Sequence, residues 1–147
     1  FYALPDHAAI DTGRRIVLNV EDGAPNALVP LSGVAPGYAP DDRQLLCATF
    51  LVDDDFDPFA ADDDTLAART RAAFAAWYPE RAAGALDPLA TRRVPFAQFA
   101  QPPGVHETLP DVDTPAGEVY LAGDYTERSS IQGALRSGRR AARPALQ

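Results

Sequence analysis

The clearest hydrophobic pattern in the chain lies at residues 65–78 and has the period of an α-helix. Apolar positions recur there at spacings of three and four residues, which places them on one face, and Pro79 directly after them predicts the helix end. Aromatic residues on this face could line a substrate pocket, but at helical spacing they are more often core, and we interpret them as core. The face comprises Leu66, Thr70, Ala73, Phe74 and Trp77.

Apolar and β-branched runs elsewhere predict strands. The run at residues 43–52 is the longest and mostly apolar, which indicates a central strand covered on both faces. Pro30 favours an edge position or an early end of its run, because proline donates no ladder hydrogen bond, and Pro95 interrupts another run. A turn is predicted at residues 21–23 and loops at residues 33–40 and 101–117. The predicted strands are residues 15–20, 27–31, 43–52 and 89–99.

The chain ends on a predicted strand, turn and helix. Residues 119–121 are prone to form a strand, and small residues follow at Ala122 and Gly123, where another group can approach the backbone. Asp124 lies just past the carboxyl end of this strand, where open α/β sheets bind ligands. Ser129 and Ser130 are good N-cap residues for a helix that begins near Ile131.

The predicted terminal helix has one face of small residues. Because the spacing of these residues is three and four, we expect Gly133, Ala134 and Gly138 to pack against the rest of the molecule. Leucine in place of Gly138 would then overpack this face at a cost of about 1–3 kcal/mol. The helix N-terminus carries free N–H groups and a partial positive charge, so it suits an anion or a group that becomes anionic.

Charge is unevenly distributed along the chain, whose formal net charge is −8. Residues 53–64 contain seven Asp and no basic residue, whereas residues 128–147 contain five Arg and no acidic residue. An acidic chain is repelled by nucleic acid, so we predict no nucleic-acid partner.

The acidic run has part of the pattern of a calcium loop. Asp53, Asp55 and Asp57 alternate, but Pro58 stands where such a loop needs glycine, and the twelfth position is Asp64 rather than Glu. We therefore predict a solvated loop without a metal, whose last acids cap the following helix.

Few residues suggest chemistry performed by the protein itself. Cys47 is the only cysteine, so no intrachain disulfide forms, and its apolar surroundings predict a buried, inert thiol. His7 and His106 are interpreted as exposed loop histidines. We predict no catalytic residue and no metal ligand. No apolar run reaches 18 residues and no leader is visible, so a cytoplasmic location is the default expectation; Phe1 in place of Met suggests a piece of a longer chain.

The terminal segment carries a set of residues in a characteristic order and spacing. They are Ala122-Gly123-Asp124-Tyr125-Thr126, then Ser130-x-x-Gly133-Ala134-x-x-Ser137-Gly138, then Ala141-Ala142. In order and spacing, this segment resembles the C-terminal flavin-binding motif of FAD-dependent amine oxidases and carotenoid (phytoene) desaturases. The ordinary alternative is a strand-to-helix connection of an unrelated α/β protein.

The resemblance implies FAD as the cofactor. Asp124 would bind the ribityl chain or the nearby pyrophosphate region, and the residues at the helix start would lie under the pyrimidine side of the isoalloxazine ring. The chemistry would be hydride removal from a C–N or C–C bond of a small-molecule substrate, which can be apolar. Peripheral membrane association of the full-length protein and self-association through the terminal helix are further expectations. The implied cofactor-binding residues are Gly123, Asp124, Ser130, Ile131, Gln132 and Gly133.

One departure from the family pattern is large. The family binds the ADP half of FAD with a strand, a Gly-x-Gly-x-x-Gly turn and a helix, and none of the ten glycines here forms that pattern. The resemblance is therefore to a C-terminal portion: an α+β chain with a mostly antiparallel substrate-domain sheet and a covering helix, plus a terminal β–α unit of a Rossmann-like domain. We expect residues 1–115 to be a partial substrate domain and residues 116–147 the terminal strand–helix.

Two functions follow as hypotheses. The first is the C-terminal part of an FAD-dependent oxidoreductase, which we expect to be inactive alone and to bind FAD weakly. The second is a non-catalytic binding or interaction domain that keeps the fold and binds no flavin. A helix N-terminus that holds another phosphorylated ligand is a third interpretation.

Overall fold

The computed structural model describes residues 1–20 and 25–145. They form two compact units, Phe1–Arg93 and Val94–Gln147, called here the N-terminal and C-terminal units. The turn predicted at residues 21–23 lies outside the described residues. The predicted division at residue 115 stays a prediction, because compactness does not report the domain of a larger fold to which a segment belongs.

An antiparallel sheet of five strands forms the N-terminal unit and confirms the predicted sheet type. Its strands are β1 Tyr2–Pro5, β2 Val17–Leu18, β3 Ala27–Pro30, β4 Arg43–Thr49 and β5 Asp87–Pro88. The strand order is β2-β3-β4-β1-β5, and every neighbouring pair is antiparallel.

Strand β4 is central, as predicted, but it is shorter and less covered than predicted. Leu46 is fully buried between Tyr2 of β1 and Pro30 of β3, whereas Cys47 is only half-buried. The strand ends at Thr49 rather than at residue 52. Beyond that point the N–H of Leu51 donates to the side chain of Asn26 at 2.6 Å instead of joining the ladder.

The strand predicted at residues 89–99 is wrong. Pairing continues only as far as Leu89 and Ala90, whose backbone groups bond to Phe1 at 2.9 and 2.8 Å. Residues 91–99 have no sheet partner in the part of the chain that the structure describes. Residues 33–40, predicted as loop, include the end of a short helix, α1 Leu31–Val34, and a 3₁₀ turn at Pro36–Tyr38.

Helix α2, Asp63–Trp77, confirms the strongest sequence pattern. The carboxylate of Asp62 accepts a hydrogen bond from the N–H of Thr65 at 2.7 Å and caps the first turn. Phe74 is fully buried, which confirms its assignment to the core. Thr70 is buried as well, and its hydroxyl accepts from the Tyr2 hydroxyl at 3.0 Å and donates to the Leu66 carbonyl at 2.9 Å.

The apolar core of the N-terminal unit lies between the sheet and helix α2. Full burial of one large apolar side chain contributes about 1.5–3 kcal/mol, so these residues supply most of the unit's stability. The core comprises Tyr2, Leu4, Ala8, Ile10, Leu28, Leu46, Ala67, Phe74 and Leu86.

The C-terminal unit contains a β-hairpin and one long helix. Its elements are β6 Asp113–Thr114, β7 Gly117–Tyr120 and α3 Ile131–Ala145. The predicted terminal strand and helix are confirmed, with the strand starting two residues early. Strand β7 pairs only with β6 among the described residues, so a Rossmann-like origin of this unit stays a prediction. No helix of residues 1–20 and 25–145 has the length and apolar character needed to span a bilayer.

Candidate functional site

The candidate site is the segment from Gly123 to Gly133, where strand β7 passes into helix α3. Gly123 is extended (φ 168°, ψ 166°), and its N–H donates to the Ser137 hydroxyl at 2.9 Å. Its carbonyl accepts from the N–H and the hydroxyl of Thr126 at 3.2 and 3.1 Å. The hydroxyls of Thr126 and Ser137 lie 2.6 Å apart, and both residues are buried. These bonds tie the turn to the second turn of the helix.

The start of helix α3 leaves two backbone donors open. Ser130 caps the helix, as predicted: its hydroxyl accepts from the Gly133 N–H at 2.9 Å. Ser129 does not act as a cap; its N–H donates to the side chain of Gln101 at 3.2 Å. The N–H groups of Ile131 and Gln132 have no hydrogen-bond partner among the described residues. Helix α3 therefore presents two donors and the positive end of its dipole.

The small-residue face of α3 is packed only in part. A side chain at Gly133 would run into the carbonyl oxygen of Arg128, so a glycine is needed there. A Cβ at Gly138 would meet no atom within 4 Å, and Ala134 is exposed. The predicted packing of Ala134 is therefore wrong, and the predicted close packing at Gly138, which is half-buried, finds no neighbour at the Cβ position among the described residues. The buried contacts of α3 run through Gly133 and Ser137, one helical turn apart.

Asp124 supplies the acceptor of the site. It is half-buried in a 3₁₀ turn, Asp124–Thr126. Its backbone carbonyl accepts from the N–H of Glu127 at 3.0 Å. Its carboxylate makes no hydrogen bond or ion pair within residues 1–20 and 25–145. A carboxylate in this state can accept hydrogen bonds from the hydroxyl groups of a ligand.

The six residues predicted to bind a cofactor thus divide into two kinds. Gly123, Ser130 and Gly133 build the turn and the helix start. Asp124 offers an open carboxylate, and Ile131 and Gln132 offer open N–H groups. Such a set can accept from the hydroxyl groups of a ligand and donate to its carbonyl oxygens.

An ion-pair cluster flanks the site, and sequence reasoning missed it. The side chain of Glu127 is 14% exposed, and its carboxylate lies 2.8 Å from Arg140 and 3.6 Å from Arg136. Arg140 also contacts Asp111 at 2.9 Å. The hydrogen bond to Glu127, followed by the attraction of both carboxylates, raises the pKa of Arg140 above its ordinary value.

His106 is exposed, as predicted, but it is not without a partner. Its Nδ1 lies 3.1 Å from the carbonyl oxygen of Glu127, a contact that requires the proton on Nδ1. The only sequence signal for this cluster is the concentration of arginines after residue 128.

Metal ligation has no candidate in the described ranges. No group of three or more His, Cys, Asp or Glu side chains among residues 1–20 and 25–145 is arranged to hold an ion. In the acidic loop, the Asp53 carboxylate instead accepts from the N–H groups of Asp55 and Phe56 at 3.0 and 2.7 Å. The metal-free state of this loop stays a prediction.

Comparison with known proteins gives one match. A family model described as flavin containing amine oxidoreductase matches residues 7–146. The match spans both units and includes all six predicted cofactor-binding residues. Nothing in it favours the phytoene desaturases in particular. No curated protein and no solved structure matches the chain.

Proposed function

We propose a function from one premise: the chain belongs to the family of flavin containing amine oxidoreductases. It contributes the flavin-facing part of an FAD-dependent oxidoreductase. The observation that supports this role is the open donor and acceptor set between β7 and α3, formed by Asp124 and the N–H groups of Ile131 and Gln132.

The helix start would act on the pyrimidine side of the isoalloxazine ring. Two-electron reduction places negative charge near N1 and the C2 carbonyl of a flavin, and FAD would supply the hydride acceptor when bound. Open N–H groups at Ile131 and Gln132, with the helix dipole behind them, stabilise negative charge at that place. The role of this chain is thus electrostatic and positional.

Asp124 would hold the cofactor by its sugar-like chain. Its carboxylate can accept from the ribityl hydroxyls. Gly123 supports the turn that carries Asp124, because a Cβ at this position would run into the ring of Tyr125. Ser130 supports this arrangement, because its hydroxyl accepts from the Gly133 N–H and fixes the first turn, while the N–H groups of Ile131 and Gln132 keep no partner among the described residues.

The reaction class follows the family match. Amine oxidation, in which hydride leaves a carbon next to nitrogen, is favoured over desaturation. We propose that the substrate is a small molecule, which can be apolar, and that the protein has no nucleic-acid partner. Self-association through α3 is part of the proposal too, because Ile131 and Leu135 are 77% and 65% exposed on one side of the helix. Peripheral membrane association of a larger protein would use such apolar surface.

Weak binding is expected from these groups alone. A hydrogen bond between exposed partners contributes about 0.5–1.5 kcal/mol net. The entropy lost on association is roughly 4 kcal/mol or more. The 147 residues contain no Gly-x-Gly-x-x-Gly turn to hold the ADP half of FAD. We therefore expect the dissociation constant to be well above micromolar.

The test is a titration of the isotope-labelled chain with FAD, followed by the amide signals in NMR spectra. The signals of Asp124, Ile131 and Gln132 should shift first, and Asp124→Asn should weaken the response. Asp113→Asn, an exposed acid of β6, is the matched control. Absence of any shift at these amides would favour the non-catalytic domain instead. Equal shifts with inorganic phosphate alone would favour a general phosphate site. Sub-micromolar binding would contradict the expected weakness.

A further inference from the structure

Glu127 uses every polar group it has within the C-terminal unit. Its N–H donates to the Asp124 carbonyl at 3.0 Å, and its own carbonyl accepts from His106 at 3.1 Å. Its carboxylate oxygens bind Arg140 at 2.8 Å and Arg136 at 3.6 Å. One residue thus joins the Asp124 turn, the flank of helix α3 and the loop before strand β6.

The segment around Glu127 is held from a second side as well. Gln101 accepts from the Ser129 N–H at 3.2 Å, and Asp111 binds the second nitrogen of Arg140 at 2.9 Å. The arginine therefore bridges two carboxylates, one in the segment and one in the loop, with separate N–H groups. A lysine, which carries one nitrogen, could not reproduce this bridge with the same geometry.

Glu127 lies in the sequence between the two parts of the candidate site, Asp124 and the start of helix α3. Asp124 precedes Glu127 by three residues, and Ile131 follows it by four. These are the two halves of the open donor and acceptor set. Any change in the intervening backbone would alter the distance between the carboxylate and the N–H groups.

The ion pairs of Glu127 also affect the charge near the start of helix α3. A free carboxylate close in sequence to the helix start would compete with a ligand for its positive end. The carboxylate of Glu127 is drawn to the second and third turns of α3, where two guanidinium groups compensate its charge.

We infer that Glu127 is a positioning residue of the candidate flavin site, and that Arg140 is its principal partner. The pair sets the geometry between Asp124 and the helix start and keeps the helix start electropositive. The inference rests on the proposed function, because it concerns the same donor and acceptor set.

The experiment uses the full chain and three variants: Glu127→Gln, Arg140→Gln and, as matched control, Glu118→Gln. Glu118 is an exposed acid of β7 that makes no ion pair in the described part of the chain. Each protein is titrated with FAD, and the amide shifts of Asp124, Ile131 and Gln132 yield the dissociation constant. Both cluster variants should raise it about two- to fivefold, the range that one partly exposed ion pair supports. The control should leave it unchanged.

Loss of a merely structural contact would change the dissociation constant of both variants in the same direction. A second measurement therefore separates the effect of charge from the effect of geometry. The titration is repeated with FAD reduced by dithionite without oxygen. Glu127→Gln removes a negative charge and should increase the preference for reduced over oxidised flavin. Arg140→Gln leaves a carboxylate less compensated and should decrease that preference, each by about two- to fivefold.

The outcomes distinguish the two proposals. If the unmodified chain shows no shift at the three amides, the proposed function fails. If it shows the shifts and both cluster variants titrate like Glu118→Gln, the function stands and the role of Glu127 is refuted. If the preference for reduced over oxidised flavin changes in the same direction in both cluster variants, or in neither, the electrostatic part is refuted. Circular dichroism verifies the fold of each variant, and Arg140→Gln, at an exposed position, serves as the test if Glu127→Gln does not fold.

Discussion

The N-terminal and C-terminal units bury different kinds of side chain. In the N-terminal unit, nine buried apolar residues form one core between a sheet and a helix. In the C-terminal unit, Val112 is the buried large apolar residue of the described part, and the polar residues Thr126 and Ser137 are buried as well. The first unit is thus stabilised mainly by apolar burial, and the second mainly by hydrogen bonds and ion pairs.

This difference bears on function. Apolar burial is non-directional and tolerates changes of shape, whereas a buried hydrogen-bond network holds its atoms in one arrangement. The candidate site lies in the unit whose contacts are directional. The bonds among Gly123, Thr126 and Ser137 set the turn to within the tolerance that a hydrogen bond allows, about 0.5 Å in donor–acceptor distance.

The largest effect should come from the apolar core. Phe74→Ala removes a fully buried aromatic ring and should lower the free energy of unfolding by about 3–5 kcal/mol, through lost burial and the cavity left behind. Chemical denaturation followed by circular dichroism measures this. Phe96→Ala, at a ring that is 80% exposed, is the control and should change stability by less than about 0.5 kcal/mol. Equal effects would contradict the assignment of the core.

The polar network of the C-terminal unit should give the next effect. Ser137→Ala leaves the Gly123 N–H without its acceptor and removes a buried partner of Thr126, at a cost of about 1–3 kcal/mol. Hydrogen exchange read by mass spectrometry should show faster exchange in residues 123–140. Residues 1–93 provide the internal control, and faster exchange there would indicate that the two units are not stabilised separately.

The cap of α3 should contribute less. Ser130→Ala removes the acceptor of the Gly133 N–H and should cost about 1 kcal/mol. Thermal unfolding measures the loss. Ser129→Ala is the matched control, because the Ser129 side chain makes no hydrogen bond in the described ranges. A similar loss in both variants would show that the hydroxyl of Ser130 is not the cap.

The smallest effect should be a pH dependence in the N-terminal unit. Hydrogen bonds from Thr65 lower the pKa of Asp62, and the hydrogen bond from Arg93 lowers the pKa of Asp63. A carboxyl whose pKa is lower in the folded state stabilises the fold above its unfolded pKa, about 4, and loses that contribution as the pH falls. Stability should therefore decline below about pH 4.

Substitution of the donor tests this pH dependence. Arg93→Gln should make the acid decline shallower, because Asp63 then loses the hydrogen bond that is the largest cause of its lowered pKa. Asp54→Asn, at an exposed loop position, is the control. An unchanged slope in Arg93→Gln, measured by denaturation between pH 2 and 7, would contradict the assigned cause.

Local features of this protein could be predicted from the sequence because their causes are local. The spacing of Leu66, Thr70 and Phe74 placed one face of α2 in the core, and Ser130 marked the start of α3 through its hydroxyl. The order of small residues from Ala122 to Ala142 pointed to the amine oxidase family, which the family match confirms.

Features that depend on distant partners could not be predicted. The run at residues 89–99 has the composition of a strand, but beyond Ala90 it finds no strand to pair with among the described residues. Gly138 has the spacing of a packed residue, but in the described part of the chain nothing lies opposite it. The residue pattern of a segment indicates which secondary structure it can adopt, and the neighbours it meets on folding decide which one it adopts.

The sequence by itself determined the two long helices, the antiparallel sheet type, the family and the residues that carry the open donors and acceptors. Only the tertiary structure decided how those residues are held. Gln101, His106 and Asp111 contact partners 28, 21 and 29 residues away, and no spacing rule relates such positions. Contacts of this kind form because packing brings separate segments together, so the frame around Glu127 is a property of the fold and not of any local pattern.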